Sequence, residues 1–210
     1  TRRATELLPE PTGPSMAKRW TMKVPYSKTA PNMDGTGTDK VWDAGATEKE
    51  FVHAQRPCKK DPTWATLLRT DKALYLRVVG WGDTNDLKAA KTKKDDAVYM
   101  DDGIELCLDP MNTRTDYYWI CVNTLGTYVD SLASIGMNIN RKWDGEWRRA
   151  AKVFADRWVI EIEFPYATFG APKEGKAWLM GLNRCGPGRY ESWTDATVHS
   201  PNSFRTLIME

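Results

Sequence analysis

Short stretches in which apolar and polar residues alternate follow one another along most of the chain. In residues 103–109, GIELCLD, every second residue is a large aliphatic side chain. Alternation with a period of two places successive side chains on opposite faces of a β-strand. Similar short stretches, rich in β-branched or aromatic residues, occur at 51–55 (FVHAQ), 64–71 (WATLLRTD), 73–81 (ALYLRVVGW), 117–123 (YYWICVN), 127–132 (TYVDSL), 147–155 (WRRAAKVFA), 157–164 (RWVIEIEF), 177–183 (AWLMGLN) and 203–209 (SFRTLIM).

Turn-forming Gly, Pro, Asn and Asp residues separate many of these stretches, and few windows show a helical period of 3.6. The pattern predicts an all-β fold, an antiparallel β-sandwich of jelly-roll or immunoglobulin-like type with two packed sheets. We expect a single helical turn at 165–170 (PYATFG). Residues 1–32 are rich in proline and predict an extended N-terminal arm or linker that contacts the sandwich through Trp20 and Val24. The sandwich itself is expected over residues 33–210.

Composition excludes several classes of function. The chain has 210 residues, enough for one domain with a core, and 30 Lys and Arg residues against 28 Asp and Glu give a net charge of +2. Without a basic stripe we expect no nucleic-acid partner. No apolar run approaches the roughly 20 residues of a membrane span, so no membrane partner is expected either.

Residues 95–123 carry the strongest indication of function. They predict a hairpin that holds the carboxylate of Glu105 near Tyr99, Trp119 and the amide of Asn123. Because the aliphatic residues of 103–109 must face the core, Glu105 points away from it. A pyranose ring presents apolar C–H faces that aromatic rings can cover and hydroxyls that carboxylates and amides can bind. The hairpin therefore has the chemistry of a saccharide site.

The chain also resembles a known family. Five blocks resemble, in order, the family 9 carbohydrate-binding modules: residues 34–46 (DGTGTDKVWDAGA), 67–83 (LLRTDKALYLRVVGWGD), 101–110 (DDGIELCLDP), 156–170 (DRWVIEIEFPYATFG) and 192–209 (SWTDATVHSPNSFRTLIM). The resemblance covers roughly residues 33–210. It implies an antiparallel β-sandwich that binds saccharides, often stands beside a glycoside hydrolase and commonly holds structural calcium.

The resemblance also assigns roles to single residues. Glu105 matches a glutamate that hydrogen-bonds sugar hydroxyls, and Tyr99 matches an aromatic residue that stacks on the sugar ring. The arginine of the family's next strand falls on Cys121, so that contact is missing here. The family's second stacking Trp lies in a loop that is shorter in this chain, around residues 197–201, where His199 is the nearest ring.

Further candidates complete the expected site. Trp119 and Asn123 share the Glu105 side of the hairpin, whereas Arg184 and Trp193 lie late in the chain, near the expected binding end. The full set of predicted ligand-binding residues is Tyr99, Glu105, Trp119, Asn123, Arg184, Trp193 and His199. For calcium, Asp101 and Asp102 offer hard oxygen ligands, although their spacing fits no EF-hand and solvated acidic turns are the alternative.

The four cysteines, at 58, 107, 121 and 185, form no CxxC pair, which argues against a zinc or thioredoxin-type motif. Cys107 and Cys121 are expected to be near neighbours across the hairpin. Directly opposed residues lie about 4.5–5.5 Å apart, which is compatible with a disulfide. A disulfide and two buried thiols both remain open.

Catalysis is not expected. Glu105 and Asp109 lie four residues apart on one strand, about 13 Å, which exceeds the roughly 5–9.5 Å of glycosidase carboxylate pairs. Glu161 and Glu163 have a suitable spacing of about 6.6 Å, but they belong to the polar outer face of residues 157–164. No GxSxG nucleophile motif is present.

We therefore predict non-catalytic carbohydrate binding by a monomer, a module of a secreted, extracellular or periplasmic, polysaccharide-degrading protein, tethered to a glycoside hydrolase. The alternative is a haem-binding DOMON-type electron-transfer domain, with Met100, Met111, Met137 and His199 as possible iron ligands. A sandwich that serves adhesion and holds no small ligand is a third interpretation.

Overall fold

A computed structural model describes residues 20–53, 56–57, 60–172, 177–194 and 199–210. Within these residues the chain forms fifteen β-strands. In chain order they are β1 (Thr21–Val24), β2 (Ala46–Glu48), β3 (Val52–His53), β4 (Arg56–Pro57), β5 (Thr63–Arg69), β6 (Ala73–Trp81), β7 (Gly103–Asp109), β8 (Asp116–Asn123), β9 (Tyr128–Ser134), β10 (Asn138–Asn140), β11 (Arg148–Val153), β12 (Arg157–Pro165), β13 (Trp178–Gly186), β14 (Arg189–Ser192) and β15 (Arg205–Met209).

The strands form two sheets. The larger has the order β10-β9-β8-β7-β13-β14-β3-β4, with β15 also paired to β13 and β1 paired to β15. The smaller has the order β11-β12-β6-β5-β2. Neighbouring strands run antiparallel, except that β1 and β15 run parallel. The predicted all-β sandwich with two packed sheets is confirmed, with this one parallel pair as a departure from a purely antiparallel arrangement.

The core lies between the sheets and follows the alternation of the sequence. Ile104, Leu106 and Leu108 of β7 pack in one cluster with alternate aliphatic residues of the smaller sheet, such as Leu76 and Ile160. Burial of each such side chain contributes about 1.5–3 kcal/mol. The residues between them on β7 are therefore directed to the opposite face of the larger sheet, as the sequence predicts for Glu105.

Helical segments are few and short among the described residues. Three are 3₁₀ helices, at Lys40–Ala44, Val98–Met100 and Pro201–Ser203, and one is an α-helical turn, α1, at Tyr166–Phe169. The last confirms the expected turn in PYATFG. None of these described helices has the length and apolar character needed to cross a membrane.

Part of the expected N-terminal arm belongs to the sandwich. Residues 1–19 lie outside the described residues, but Thr21–Val24 forms a strand in register with β15, pairing Thr21 with Thr206. Val24 is fully buried in the main core. The sandwich therefore begins earlier than residue 33.

One expectation about the smaller sheet is wrong. Glu161 of β12 does point away from the core, but it is fully buried rather than part of an open polar face. The turn at residues 34–38 covers it, and its carboxylate accepts hydrogen bonds from the Gly35 backbone N–H at 2.6 Å and the Trp42 indole N–H at 3.1 Å. A carboxylate fully engaged by the fold in this way is structural.

Candidate functional site

The candidate site is built on the hairpin formed by β7 and β8. Asp109, at the end of β7, organises the connecting turn: its carboxylate accepts backbone N–H groups of Met111 at 3.1 Å and Arg114 at 2.7 Å. Asn112 and Arg114 adopt positive φ angles in this turn. The resulting register pairs Glu105 with Cys121 and Cys107 with Trp119. Trp119 is therefore a diagonal neighbour of Glu105 on the outer face of the sheet.

Glu105 is held by the indole of Trp119. The Trp119 Nε1–H donates to Glu105 Oε1 at 2.8 Å, and the Glu105 side chain is only 11% exposed. His199 also approaches it, with Nε2 3.5 Å from the same Oε1. A hydrogen bond to a charged group is worth about 1.5–3 kcal/mol, so the indole fixes the carboxylate in one orientation.

Three rings surround this carboxylate. The centroids of Tyr99 and His199 lie 5.8 and 5.7 Å from that of Trp119, and Arg141 lies 5.7 Å above the same ring. Trp119 is thereby covered and only 3% exposed, whereas Tyr99 is 40% exposed. Tyr99, rather than Trp119, is the ring that a ligand can stack on.

Tyr117 sets the orientation of the His199 ring. Its hydroxyl lies 3.1 Å from His199 Nδ1, and burial, with the nearby Cys107 and Glu105, raises the pKa of Tyr117 to about 12. The phenol therefore keeps its proton at neutral pH and can donate to Nδ1. A ring that accepts there carries its proton on Nε2, which faces Glu105.

The opposite flank of Glu105 is formed by Asn183, which the sequence analysis did not single out. Asn183 of β13 pairs directly with Glu105 in the register of the sheet. It is fully buried, its Nδ2 donates to the hydroxyl of Tyr190, and its Oδ1 has no hydrogen-bond partner among the described residues. Alternation along β13 could have identified it, because Leu182 faces the core and the next residue must face outward.

Tyr99 and Glu105 border an open cleft of about 410 Å³. Its walls also include His53, Cys185 and Tyr190. Small-molecule sites typically occupy about 300–1,000 Å³ and combine rings with a few placed polar groups. The cleft meets both conditions. Two of the predicted ligand residues, Tyr99 and Glu105, line it, and Trp119 and His199 lie behind them, in contact with Glu105 and with each other.

Asn123 is not part of this group. Its Nδ2 donates to the Lys91 carbonyl and the Asp101 carboxylate, both at 2.8 Å, while its Oδ1 accepts the backbone N–H groups of Leu125 and Thr127. An amide has two donor hydrogens and two acceptor lone pairs, so all are used. The expected ligand role of Asn123 is replaced by a structural one.

Arg184 and Trp193 are also placed elsewhere. Arg184 lies one residue after Asn183 and so faces inward, where Nη1 donates to the Asp61 carbonyl at 3.0 Å and burial lowers the pKa of the guanidinium to about 10. Trp193 is fully buried in the main core and donates its indole N–H to the Met180 carbonyl at 3.2 Å. Neither side chain reaches the cleft.

The two predicted metal ligands hold a loop to the hairpin. Asp101 accepts the backbone N–H groups of Ala90 at 3.0 Å and Lys91 at 2.8 Å, and Asp102 accepts that of Lys88 at 2.7 Å. In the part of the chain that the structure describes, no three His, Cys, Asp or Glu side chains are grouped so that they could hold a metal ion. A calcium site at Asp101 and Asp102 stays a prediction.

The disulfide alternative for Cys107 and Cys121 is contradicted. Both are buried free thiols, as is Cys185, while Cys58 lies outside the described residues. Because Cys107 pairs with Trp119, the two thiols are diagonal neighbours. Diagonal positions on adjacent strands lie about 7–8 Å apart, beyond the reach of an unstrained disulfide.

The residues proposed as haem ligands are dispersed. Met100, Met111 and Met137 are largely exposed on three different connections of the sandwich. His199 makes its contacts with Tyr117, Trp119 and Glu105. The geometry therefore does not assemble a pair of axial ligands from these residues.

The fold and the site together define a class: a two-sheet β-sandwich with a ring-lined cleft and a fixed carboxylate on the outer face of its larger sheet. Residues 33–187 match the family described as carbohydrate family 9 binding domain-like. The chain belongs to this family.

Solved structures support the fold. A family 9 carbohydrate-binding module from Caldicellulosiruptor kristjanssonii in complex with cellotriose aligns with a TM-score of 0.66 and 17% identity, over 90% of this chain and 94% of that one. Its complex with glucose aligns with a TM-score of 0.65 and 16% identity, over 90% and 96%. A proposed carbohydrate-binding protein from Bacteroides uniformis aligns with a TM-score of 0.73 and 14% identity, over 90% and 99%. A comparison with curated proteins gives no significant match.

Proposed function

We propose that the chain is a non-catalytic saccharide-binding domain whose ligand occupies the cleft beside Glu105. The observation that carries the proposal is the carboxylate itself, fixed by Trp119 at 2.8 Å at the wall of a cleft that also presents the exposed ring of Tyr99. Membership of the carbohydrate family 9 binding domain-like family supports it. So do the cellotriose and glucose complexes of the structural relatives.

The proposed contacts follow from the chemistry of a pyranose. The sugar stacks an apolar face on Tyr99, and its hydroxyls donate to Glu105. Both contacts described above are made by Oε1, so Oε2 is the oxygen that we expect a hydroxyl to reach. Asn183, whose Oδ1 is buried and unpartnered among the described residues, supports the floor of the site from the other side.

A catalytic role is disfavoured by the same cleft. Glycoside hydrolysis ordinarily needs two carboxyl groups about 5–9.5 Å apart, one as acid and one as base or nucleophile. Among the described residues that line this cleft, Glu105 is the only one with a carboxylate. A single carboxylate is sufficient for binding hydroxyls.

The wider setting is part of the proposal. We infer a secreted, monomeric module of a polysaccharide-degrading protein, tethered to a glycoside hydrolase, which is the setting that the family resemblance implies.

For calcium at Asp101 and Asp102, the expected result is an increase in thermal midpoint on adding Ca²⁺ to protein treated with a chelator. An unchanged midpoint would argue against a structural ion.

Isothermal titration with glucose, mannose, xylose and their di- and trisaccharides tests the function. We expect binding by the wild-type chain and a loss of about 10- to 150-fold with Glu105→Gln, the equivalent of about 1.5–3 kcal/mol. The variant keeps the oxygen that accepts from Trp119 and removes the charge. Glu163→Gln, on the outer face of the other sheet beside Arg148, is the matched control and should bind as the wild type does. Equal affinity of Glu105→Gln and wild type would remove Glu105 from the site, and no binding to any glycan would refute the proposed function.

A further inference from the structure

We propose that His199 is a positioning residue for Glu105, and that the chain binds its saccharide more tightly when the imidazole is neutral than when it is protonated. The proposal rests on the proposed function, because the sugar is the ligand bound beside Glu105. His199 then acts on the sugar through the carboxylate, and not as a stacking ring.

A short anchored segment carries His199 to the outer face of the larger sheet. The 3₁₀ helix Pro201–Ser203 follows it, with Pro201 buried. The next residue, Phe204, is also buried and packs edge-on against the ring of Tyr117 on β8, with centroids 5.8 Å apart. The His199 side chain is 18% exposed, so it is held in place while a proton from solvent can still reach it.

Both ring nitrogens of His199 face a polar group. Nδ1 lies 3.1 Å from the Tyr117 hydroxyl, and Nε2 lies 3.5 Å from Glu105 Oε1. Burial raises the pKa of Tyr117 to about 12, so the hydroxyl keeps its proton and can donate it to Nδ1. The neutral ring then carries its own proton on Nε2. It points an N–H at the oxygen that the Trp119 indole also binds, and Glu105 Oε2 is left for a sugar hydroxyl.

Protonation of the ring changes both contacts. Nδ1 becomes a donor and can no longer accept from Tyr117, while Nε2–H becomes a cationic donor beside the Glu105 carboxylate. The two groups then form an ion pair, and their opposite charges shorten and strengthen the hydrogen bond between them. The imidazolium offsets part of the carboxylate charge that a sugar hydroxyl would otherwise meet. Since hydrogen bonds to charged acceptors are the stronger ones, the saccharide binds the neutral-ring state more tightly.

The other groups around this pair provide a constant background. Burial raises the pKa of the three thiols near the carboxylate, so they stay neutral: Cys107, Cys121 and Cys185. Arg141 and Tyr99 contact the Trp119 ring, at 5.7 and 5.8 Å from its centroid. Arg114, in the turn between β7 and β8, donates at 3.4 Å to a backbone carbonyl three residues after His199. Arginine keeps its charge at every pH of interest, so neither guanidinium introduces a pH dependence.

His53 is the other histidine of the chain, and it lines the cleft itself. Its Nδ1 lies 2.6 Å from the Tyr190 carbonyl, which can only accept, so the neutral ring carries its proton on Nδ1. The two histidines therefore have opposite tautomers. A change of affinity with pH could come from either ring, and variants of His199 separate the two.

Isothermal titration between pH 5 and 8 tests the proposal, with the sugar of the panel above that binds wild type at pH 8. We expect wild-type affinity to fall about five- to tenfold from pH 8 to pH 5, as a charged acceptor becomes partly neutralised. His199→Gln keeps a neutral N–H donor and cannot titrate. It should bind within about threefold of wild type at pH 8 and change less than about twofold with pH.

A flat wild-type profile would overturn the proposal. So would a pH dependence that persists in His199→Gln, because it would come from His53 or from Glu105 itself. Both results leave the proposed function in place. Failure of every sugar to bind at any pH would overturn the proposed function, and this proposal with it.

Tyr117→Phe tests the tautomer of the ring. Without the hydroxyl, the neutral imidazole can carry its proton on either nitrogen, and a fraction of the molecules would turn a lone pair toward Glu105. We expect a loss of affinity of about two- to fivefold at pH 8. Tyr75→Phe is the matched control, since its buried hydroxyl donates to Glu163 Oε1 at 3.3 Å on the smaller sheet, and it should bind as wild type does. An equal loss in both variants would show a general effect on the fold and overturn the positioning role.

A spectroscopic measurement on the wild-type chain needs neither ligand nor variant. Long-range proton–nitrogen correlation spectra show which nitrogen of each imidazole carries the proton. At pH 8 we expect one ring protonated on Nε2, which is His199, and one protonated on Nδ1, which is His53. The absence of a ring protonated on Nε2 would overturn the inference while leaving the proposed function in place.

Discussion

The indole N–H of Trp119 meets the carboxylate of Glu105 at 2.8 Å across the two strands of one hairpin, although the two residues are diagonal rather than opposed in the register. The bond orients a buried charge before any ligand arrives. Pre-orientation of this kind reduces the entropy lost on binding. The largest ring near the carboxylate therefore acts as its support, while the smaller and more exposed Tyr99 is left to contact the ligand.

Replacing Trp119 by Phe tests this support. The variant keeps a ring between Tyr99 and His199 but removes the donor, so the Glu105 carboxylate loses its hydrogen bond while still mostly buried. We expect a loss of about 1.5–3 kcal/mol in the free energy of unfolding and about tenfold in saccharide affinity. Urea unfolding measures the first and isothermal titration the second.

Trp147 supplies the matched control for that substitution. Its indole N–H donates to Asp130 Oδ2 at 2.9 Å, a bond of the same kind to another buried carboxylate, away from the residues that line the cleft. Trp147→Phe should lower stability by a similar amount and leave affinity unchanged. An equal loss of affinity in both variants would mean that Trp119 acts only through the stability of the fold.

Substitution of Trp193 by Phe tests whether this residue serves the packing of the core or the binding of the ligand. The side chain is fully buried, donates to the Met180 carbonyl and lies 4.9 Å from the Arg205 guanidinium. We expect a stability loss of about 1–3 kcal/mol from the missing hydrogen bond and the smaller ring, with saccharide affinity within about twofold of wild type. Titration at a temperature where both proteins are folded checks this. A loss of saccharide affinity at unchanged stability would show that Trp193 contributes to the binding site.

The sequence pattern predicts which face of the sheet Glu105 lies on. Side chains alternate along a strand with a period of two, and the aliphatic residues of β7 must face the core, so Glu105 faces outward. The same rule applied to β13 would have favoured Asn183 over Arg184, since Leu182 packs in the core. Arg184 was a candidate only because it lies late in the chain, near the expected binding end. Alternation cannot give the register across a turn, and here a shift of two residues makes Trp119, not Cys121, the partner of Cys107.

Glu161 shows a second limit of such patterns. Its position on the outer face of β12 follows from alternation, but its burial depends on the turn at residues 34–38, more than a hundred residues earlier in the chain. No local pattern carries that contact. The family resemblance, in contrast, drew attention to Tyr99, Glu105 and His199, which lie around one indole ring in the fold, and their roles toward a ligand stay predictions.

The free thiols make a direct chemical prediction. After unfolding without reductant, an alkylating reagent should label Cys107 and Cys121 completely, and mass spectrometry of the digested chain would show both modified. In the native protein labelling should be slow, because burial raises the pKa of both thiols and excludes the reagent. A peptide pair linked through these two cysteines would contradict the register described here.

Glu161 predicts a specific pH dependence of stability. Burial raises the pKa of its carboxyl, although hydrogen bonds from Gly35 and Trp42 act in the opposite direction. The folded state therefore binds this proton more tightly than the unfolded state does. The contribution to the free energy of unfolding is fully present below the unfolded pKa of about 4.3, and it is lost as the pH rises through the higher folded pKa.

Glu161→Gln removes this titration because its amide stays neutral. The amide NH₂ must face one of the two N–H donors, so we expect a baseline cost of about 1–3 kcal/mol at low pH. Between pH 4 and 7 the stability advantage of wild type over the variant should shrink, since only wild type acquires a buried charge. Trp42→Phe, which removes one of the bonds that lower the pKa, should steepen the decline of stability with pH relative to wild type. Urea unfolding at each pH measures these differences, and an advantage of wild type that grows with pH would show that the hydrogen bonds outweigh the burial.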